Sequence, residues 1–253
     1  SGTDAIDGKF LECYFAKFFF KPINYAQTIK LYLMTITPES IQELLNSENF
    51  GEKVRGINQL RQIEPKIAFE MIKPLVKDSN PRIRYAAVSQ FDTLGTDDRQ
   101  TCLEILRDRL FNDSEFDVQA AAADAIGGLK LTEAYEDLER IYYGTSEWLL
   151  QFSILAALGE LGDPRGFDLL IEALSSDNSL IRTAAISALG DLGDDRAVSH
   201  IIPLADDEDW QVRHRVAQSL GRLSGSQSRV TLEKLAKDSV ESVAQEATNS
   251  LNQ

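Results

Sequence analysis

"IRTAAISALGDLGDDRA" (residues 181–197) and "LQFSILAALGELGDPRG" (residues 150–166) are two spellings of one phrase, set 31 residues apart. In the first copy Ile181, Ala184, Ala185, Ala188, Leu189 and Leu192 fall within about 140° of arc at ~100° per residue, the pattern of an amphipathic helix. Gly193 stops that helix, and the aspartates behind it open the next one. Ahead of the phrase, "RGFDLLIEALSS" (165–176) sets Phe167, Leu170, Ile171 and Leu174 on one face of a partner helix. Each copy is therefore a helix pair.

The apolar residue that opens the phrase recurs at Val54, Ile83, Val118, Leu150, Ile181, Val212 and Val243, with gaps of 29, 35, 32, 31, 31 and 31. A pair this short cannot bury both of its apolar faces alone, and stacking on neighbours is the way it builds a continuous core. The expected fold is all-α: a right-handed solenoid of about seven helix pairs. No stretch alternates with period two, so no sheet is expected. An Asp five residues before the anchor (Asp78, Asp113, Asp207, Asp238) and an Arg just after it (Arg55, Arg84, Arg182, Arg213) recur in register. They read as a ladder tying each turn to the next repeat, with a charged binding face as the alternative.

The repeats occupy residues 34–253. Thr37 and Pro38 in "TITPESIQELL" supply a cap and a first helical position. Residues 1–33 differ in character, with eight aromatics and four Lys against three acids. They read as an appended extension or as a partner-binding helix, and not as a signal peptide, because Glu12 and Lys17 break the apolar run.

The whole chain carries a net charge of −14, which repels phosphate backbones and argues against nucleic acid as a partner. No apolar run approaches the ~18 residues of a membrane span. Cys13 and Cys102 make no disulfide framework, and Cys102 beside Leu103 and Leu106 reads as a buried thiol. With His200 and His214 the only histidines, no metal site is expected.

Positions two residues before and two after the anchor point away from the core face, at ~160° and ~200° around the helix. Phe116, Trp148 and Trp210 occupy the first; Tyr85, Phe152 and His214 occupy the second. Trp148/Phe152 and Trp210/His214 are i,i+4 neighbours able to touch. The small residues Ala120, Ala123, Gly127, Ala156 and Gly159 read as an open floor between them. An aromatic-walled groove suits a flat conjugated ligand or a partner helix; the alternative is that each ring staples over its preceding loop. Arg215 stands where other repeats have Ala or Ser and would reach a carboxylate or snorkel to the rim. Asp92 and Asp124 are outward acids, able to pair with N–H donors or simply solvated. His214 is the weak candidate for acid–base catalysis.

Units of the form "VRxxAAxALGxLGDxRA" resemble the short HEAT-like repeats of the phycobilin lyases, a cyanobacterial family that attaches or removes open-chain tetrapyrroles on phycobiliproteins. The segments "RYAAVSQFDTLG", "DVQAAAADAIGGLKLTEAYEDL", "SEWLLQFSILAALGELGDPR" and "DWQVRHRVAQSLGRL" further resemble a lyase homologue that takes part in dismantling phycobilisomes. The resemblance implies phycobiliprotein subunits (phycocyanin or allophycocyanin) as partners and a cytoplasmic site of action on phycobilisomes at the thylakoid surface. It implies phycocyanobilin as a transient ligand, with no permanently bound cofactor. It leaves open an adaptor or an active lyase. A HEAT-repeat scaffold for another client, such as an iron–sulfur assembly factor, is the alternative, because fold alone does not fix function.

Overall fold

The computed structural model describes residues 36–223 and 225–252, all helix, turn or coil without a strand among them. The extension expected over residues 1–33, with Cys13, lies outside the described residues. The helix pairs follow one another along the chain. They are α1 (Pro38–Leu45) with α2 (Phe50–Gln59), α3 (Pro65–Ile72) with α4 (Pro81–Val88) and the short α5 (Phe91–Leu94), and α6 (Arg99–Asn112) with α7 (Phe116–Gly128). Next come α8 (Tyr135–Gly144) with α9 (Trp148–Leu161) and α10 (Phe167–Ala173) with α11 (Ser179–Leu192). Last are α12 (Val198–Ile201) with α13 (Trp210–Arg222) and α14 (Ser226–Leu235) with α15 (Glu241–Leu251).

The local signals act as the sequence predicts. Thr37 caps α1 through Oγ1, which accepts from the Ser40 N–H at 3.2 Å, while Ser40 Oγ accepts from the Thr37 N–H at 3.0 Å. Gly162 and Gly193 end α9 and α11 at φ +65° and +71°, a left-handed conformation that glycine adopts without strain. Asp163 and Asp194 then accept from the Arg165 and Arg196 N–H groups, each at 3.0 Å, to start the following turn. The two arginines fold back onto the preceding repeat, over the rings of Tyr135 (4.5 Å) and Phe167 (4.3 Å).

Successive second helices pack directly on one another: α2 on α4, α4 on α7, then α9, α11, α13 and α15 in turn. A glycine makes the close approach possible at four consecutive joints. A Cβ built on Gly127 would lie 2.7 Å from the Ala157 Cα, and one on Gly159 would lie 2.6 Å from the Ala188 Cα. On Gly190 and Gly221 it would meet the hydroxyls of Ser219 and Ser250 at 2.8 and 2.6 Å. This corrects the reading of Gly127, Gly159 and Ala123 as an open floor: all three are buried, and the two glycines seal one second helix against the next. The tight layer is the one that can take the inner side of a curved stack.

The Arg–Asp ladder forms. Arg84 grips Asp113 with two bonds of 2.8 Å, Arg182 grips Asp207 at 3.0 and 3.1 Å, and Arg213 grips Asp238 at 2.7 and 3.0 Å. Each arginine also donates to a carbonyl of its own turn: Asp78, Ser176 and Asp207. In the first repeat Lys53, not the exposed Arg55, meets Asp78 at 2.8 Å, and the anchor Val54 is only half-buried beside the buried Gly56 and Ile57. At the two central joints the arginine is replaced by Gln119 and Gln151, and the facing aspartate by Thr145 and Ser176. There the glutamines hold only their own turns, at Asp113 O (2.7 Å) and Thr145 O (3.0 Å).

The ladder makes stability depend on pH. Hydrogen bonding from Arg213 holds the Asp238 carboxyl below the usual carboxylate range. At Asp78 and Asp113 burial is the largest influence and opposes ionisation, but the hydrogen bonds from Lys53 and Arg84, the backbone N–H groups of Asn80 and Glu115 and the nearby cationic charges together outweigh it and lower both. A carboxyl depressed in the folded state adds stability that is present above the unfolded value of about 4 and is lost as pH falls through the folded value. The urea midpoint should therefore drop as pH is taken from 6 to 3. In Asp238→Asn it should start lower at pH 6 and drop less; an unchanged acid limb in that variant would contradict the ladder's role.

Candidate functional site

The outward aromatics separate into two places. Phe116, Trp148 and Trp210 are each the first residue of a second helix, and Glu115, Glu147 and Asp209 precede them as caps. Equivalent placement makes them a row along one edge of the second-helix layer, interrupted at Ser179. Their exposures are 44, 47 and 44 %, large for such rings. Trp210 meets His214 edge-on with ring centroids 6.5 Å apart. Phe152, expected beside Trp148, instead packs against the hydrophobic core.

Tyr85 and Asp124 belong to a second place, a recess of about 480 Å³ over α7. Its walls are Tyr85 and Arg82 from α4 and Leu149 and Ser153 from α9; Ala120 and Ala121 of α7 lie between them. The recess exists because "VQAAAAD" gives α7 almost no side-chain bulk where α4 and α9 carry larger groups. Of the residues read as groove floor, Ala120 alone lines it. Asp124 is reachable by solvent yet stands deep between helices. Desolvation raises its carboxyl, the neighbouring Ser153 hydroxyl partly offsets this, and the Asp92 charge raises it further. Glu160 is raised too, by desolvation and then by the charges of Asp124, Asp191 and Asp92.

Other candidates have simpler surroundings. Arg215 donates to Gln218 Oε1 at 2.5 Å along its own helix. Asp92 sits on α5, with its Cβ 3.1 Å from where a Cβ on Gly128 would stand. His214 has no carboxylate within ion-pair reach among the described residues, so nothing there orients it as a general base. Burial pushes the Cys102 thiol up to about 12, which removes it as a nucleophile near neutral pH. No cluster of His, Cys, Asp or Glu able to hold a metal ion occurs among the described residues, and no described helix is long and apolar enough to cross a membrane. A larger hollow of about 840 Å³ lies between the last two repeats, lined by Asp206, Arg213, Lys234 and Asp238, and contains none of the predicted site residues beyond the ladder.

Sequence reasoning missed Ser153, Leu149 and Arg82 as recess walls, because each looks like an ordinary helix residue in its own repeat. Glu160 was findable: it and Asp191 occupy the same place in "GELG" and "GDLG".

Stacked helix pairs, here with a row of exposed aromatics along one edge, define the class, an α-solenoid. The chain belongs to the HEAT-repeat family, whose profile matches residues 103–190 and 167–252. Among solved structures it is similar to the CpcE–CpcF complex of phycocyanin lyase from Nostoc sp. PCC7120, at 19% identity and TM-score 0.58, covering 86% of this chain and 94% of that one. YibA of E. coli is similar at 14% identity and TM-score 0.53, with 92% and 99% covered. An engineered protein is similar at 16% identity and TM-score 0.53, with 85% and 67% covered. These likenesses are of fold. No relative among the curated proteins matches in sequence.

Proposed function

We propose that this HEAT-repeat protein binds phycobiliprotein subunits through the aromatic edge of its second-helix layer and assists phycobilisome disassembly. On this reading it acts in the cytoplasm, on phycobilisomes at the thylakoid surface, as the resemblance to the lyase homologue NblB implies. The observation that carries it is the row Phe116, Trp148 and Trp210, three large rings held exposed at equivalent positions of one face. Tryptophan is the residue most enriched where protein interfaces concentrate their binding energy, and the repeat phrase itself resembles that of the bilin lyases. An active lyase would detach or transfer phycocyanobilin held transiently along the same row; an adaptor would only hold the subunit.

Mixing the purified protein with holo-phycocyanin tests the proposal and separates its two forms. Co-elution on gel filtration with an unchanged visible spectrum is the adaptor result. Co-elution with loss of the protein-bound chromophore band is the lyase result. Separate elution at concentrations of tens of micromolar would overturn both, and would favour a scaffold for another client.

A further inference from the structure

We infer that the recess over α7 is a seat for an arginine side chain of the docked partner, its guanidinium lying against Tyr85 and pairing with Asp124. The inference rests on reading this face as a docking surface, and names the chemistry that a second contact, apart from the aromatic row, would recognise.

Charge complementarity selects the occupant. Among the described residues that line the recess, three carboxyls (Glu115, Asp117, Asp124) stand against one cation, Arg82. Asp92 acts on Asp124 from beside the recess, and Asp92 and Asp124 both act on Glu160. Acids crowded in this way repel one another, and a bound cation relieves the repulsion. The same charges disfavour a ligand that carries carboxylates, so this is not a place for the propionates of an open-chain tetrapyrrole. Shape then separates one cation from another. A planar guanidinium can stack on an aromatic face while offering two parallel N–H donors to a carboxylate, whereas an ammonium is a compact, strongly hydrated point charge. Tyr85 is 49 % exposed and supplies the face. Ala120 and Ala121 leave room for the methylene stem, and Leu149 gives it an apolar wall.

The test is an NMR titration of the full chain with acetyl-arginine amide, with acetyl-citrulline amide as its uncharged isostere. Saturable shifts confined to Tyr85, Ala120, Ala121, Asp124 and Ser153 are expected for arginine, with at least fivefold weaker effects for citrulline. Asp124→Asn should weaken arginine binding at least fivefold while the fold is retained, because its carboxyl is reached by solvent and carries no ion pair. Arg82→Ala, which removes the competing cation, should tighten it two- to threefold. Equal shifts for citrulline, or an Asp124→Asn affinity equal to wild type, would overturn the inference. Holo-phycocyanin binding is measured separately. If phycocyanin binds but arginine does not, the seat is wrong and the docking surface stands. If arginine binds in the recess but phycocyanin does not bind at all, the partner is wrong and the seat stands.

Discussion

Gly159→Leu should lower the melting temperature by roughly 10 °C. The Gly159 position faces the backbone of the next second helix, 2.6 Å from the Ala188 Cα and 3.1 Å from the Ala188 carbonyl oxygen. Backbone cannot rotate aside as a flexible side chain does, so any added side chain must part α9 from α11. Overpacking of a filled interior costs about 1–3 kcal/mol and occasionally more, and the upper figure applies where the obstacle is main chain. At about 2–4 °C per kcal/mol for a chain of this size, 3 kcal/mol gives the stated shift. Stacked repeats contact only their neighbours, so the lesion sits at one joint and should also broaden or split the transition. Gly144→Leu is the control: nothing lies within 4 Å of a Cβ added there, and its melting temperature should move by no more than about 2 °C. Equal effects of the two substitutions would refute the account of close helix approach.

Much of this fold was legible because its grammar is local and repeated. Helical spacing, glycine stops at Gly162 and Gly193, and the caps at Thr37, Asp163 and Asp194 all act within one turn of the residues that carry them. Repetition then turns a weak signal into a strong one, which is why the Arg–Asp ladder could be read from register alone. The failures arise where one repeat's surroundings are set by another. Gly127 and Gly159 looked outward on a single helix wheel, but the wheel does not know that the next second helix comes so close. Phe152 turned coreward for the same reason. In the first repeat the 29-residue gap moved the ladder role from Arg55 to Lys53, an irregularity that a strict period hides. The recess needed three helices at once: bulk missing from α7 has meaning only against the bulk present on α4 and α9.

The larger effect is expected on binding. Trp148→Ala and Trp210→Ala each remove an exposed indole at the head of a second helix, where neither ring is part of the buried core. Truncating a tryptophan at the centre of a protein interface costs about 2 kcal/mol or more, a factor of about 30 in affinity. The two positions are separated by the Ser179 repeat and share no partner residue, so their effects should approach additivity and the double variant should bind several hundredfold more weakly. Stability should change less than binding: each residue is 44–47 % exposed, so shortening it gives up part of its burial, about 1–2 kcal/mol, and not that of a core ring.

The decisive measurement is the dissociation constant for holo-phycocyanin of the wild-type chain and of the Trp148→Ala/Trp210→Ala double variant, taken together with the melting temperature of each. The account predicts affinity reduced at least a hundredfold, with the double variant's melting temperature lowered by no more than about 10 °C and its transition still cooperative. Unchanged affinity accompanied by a markedly lower melting temperature would assign the rings to folding and contradict the docking role.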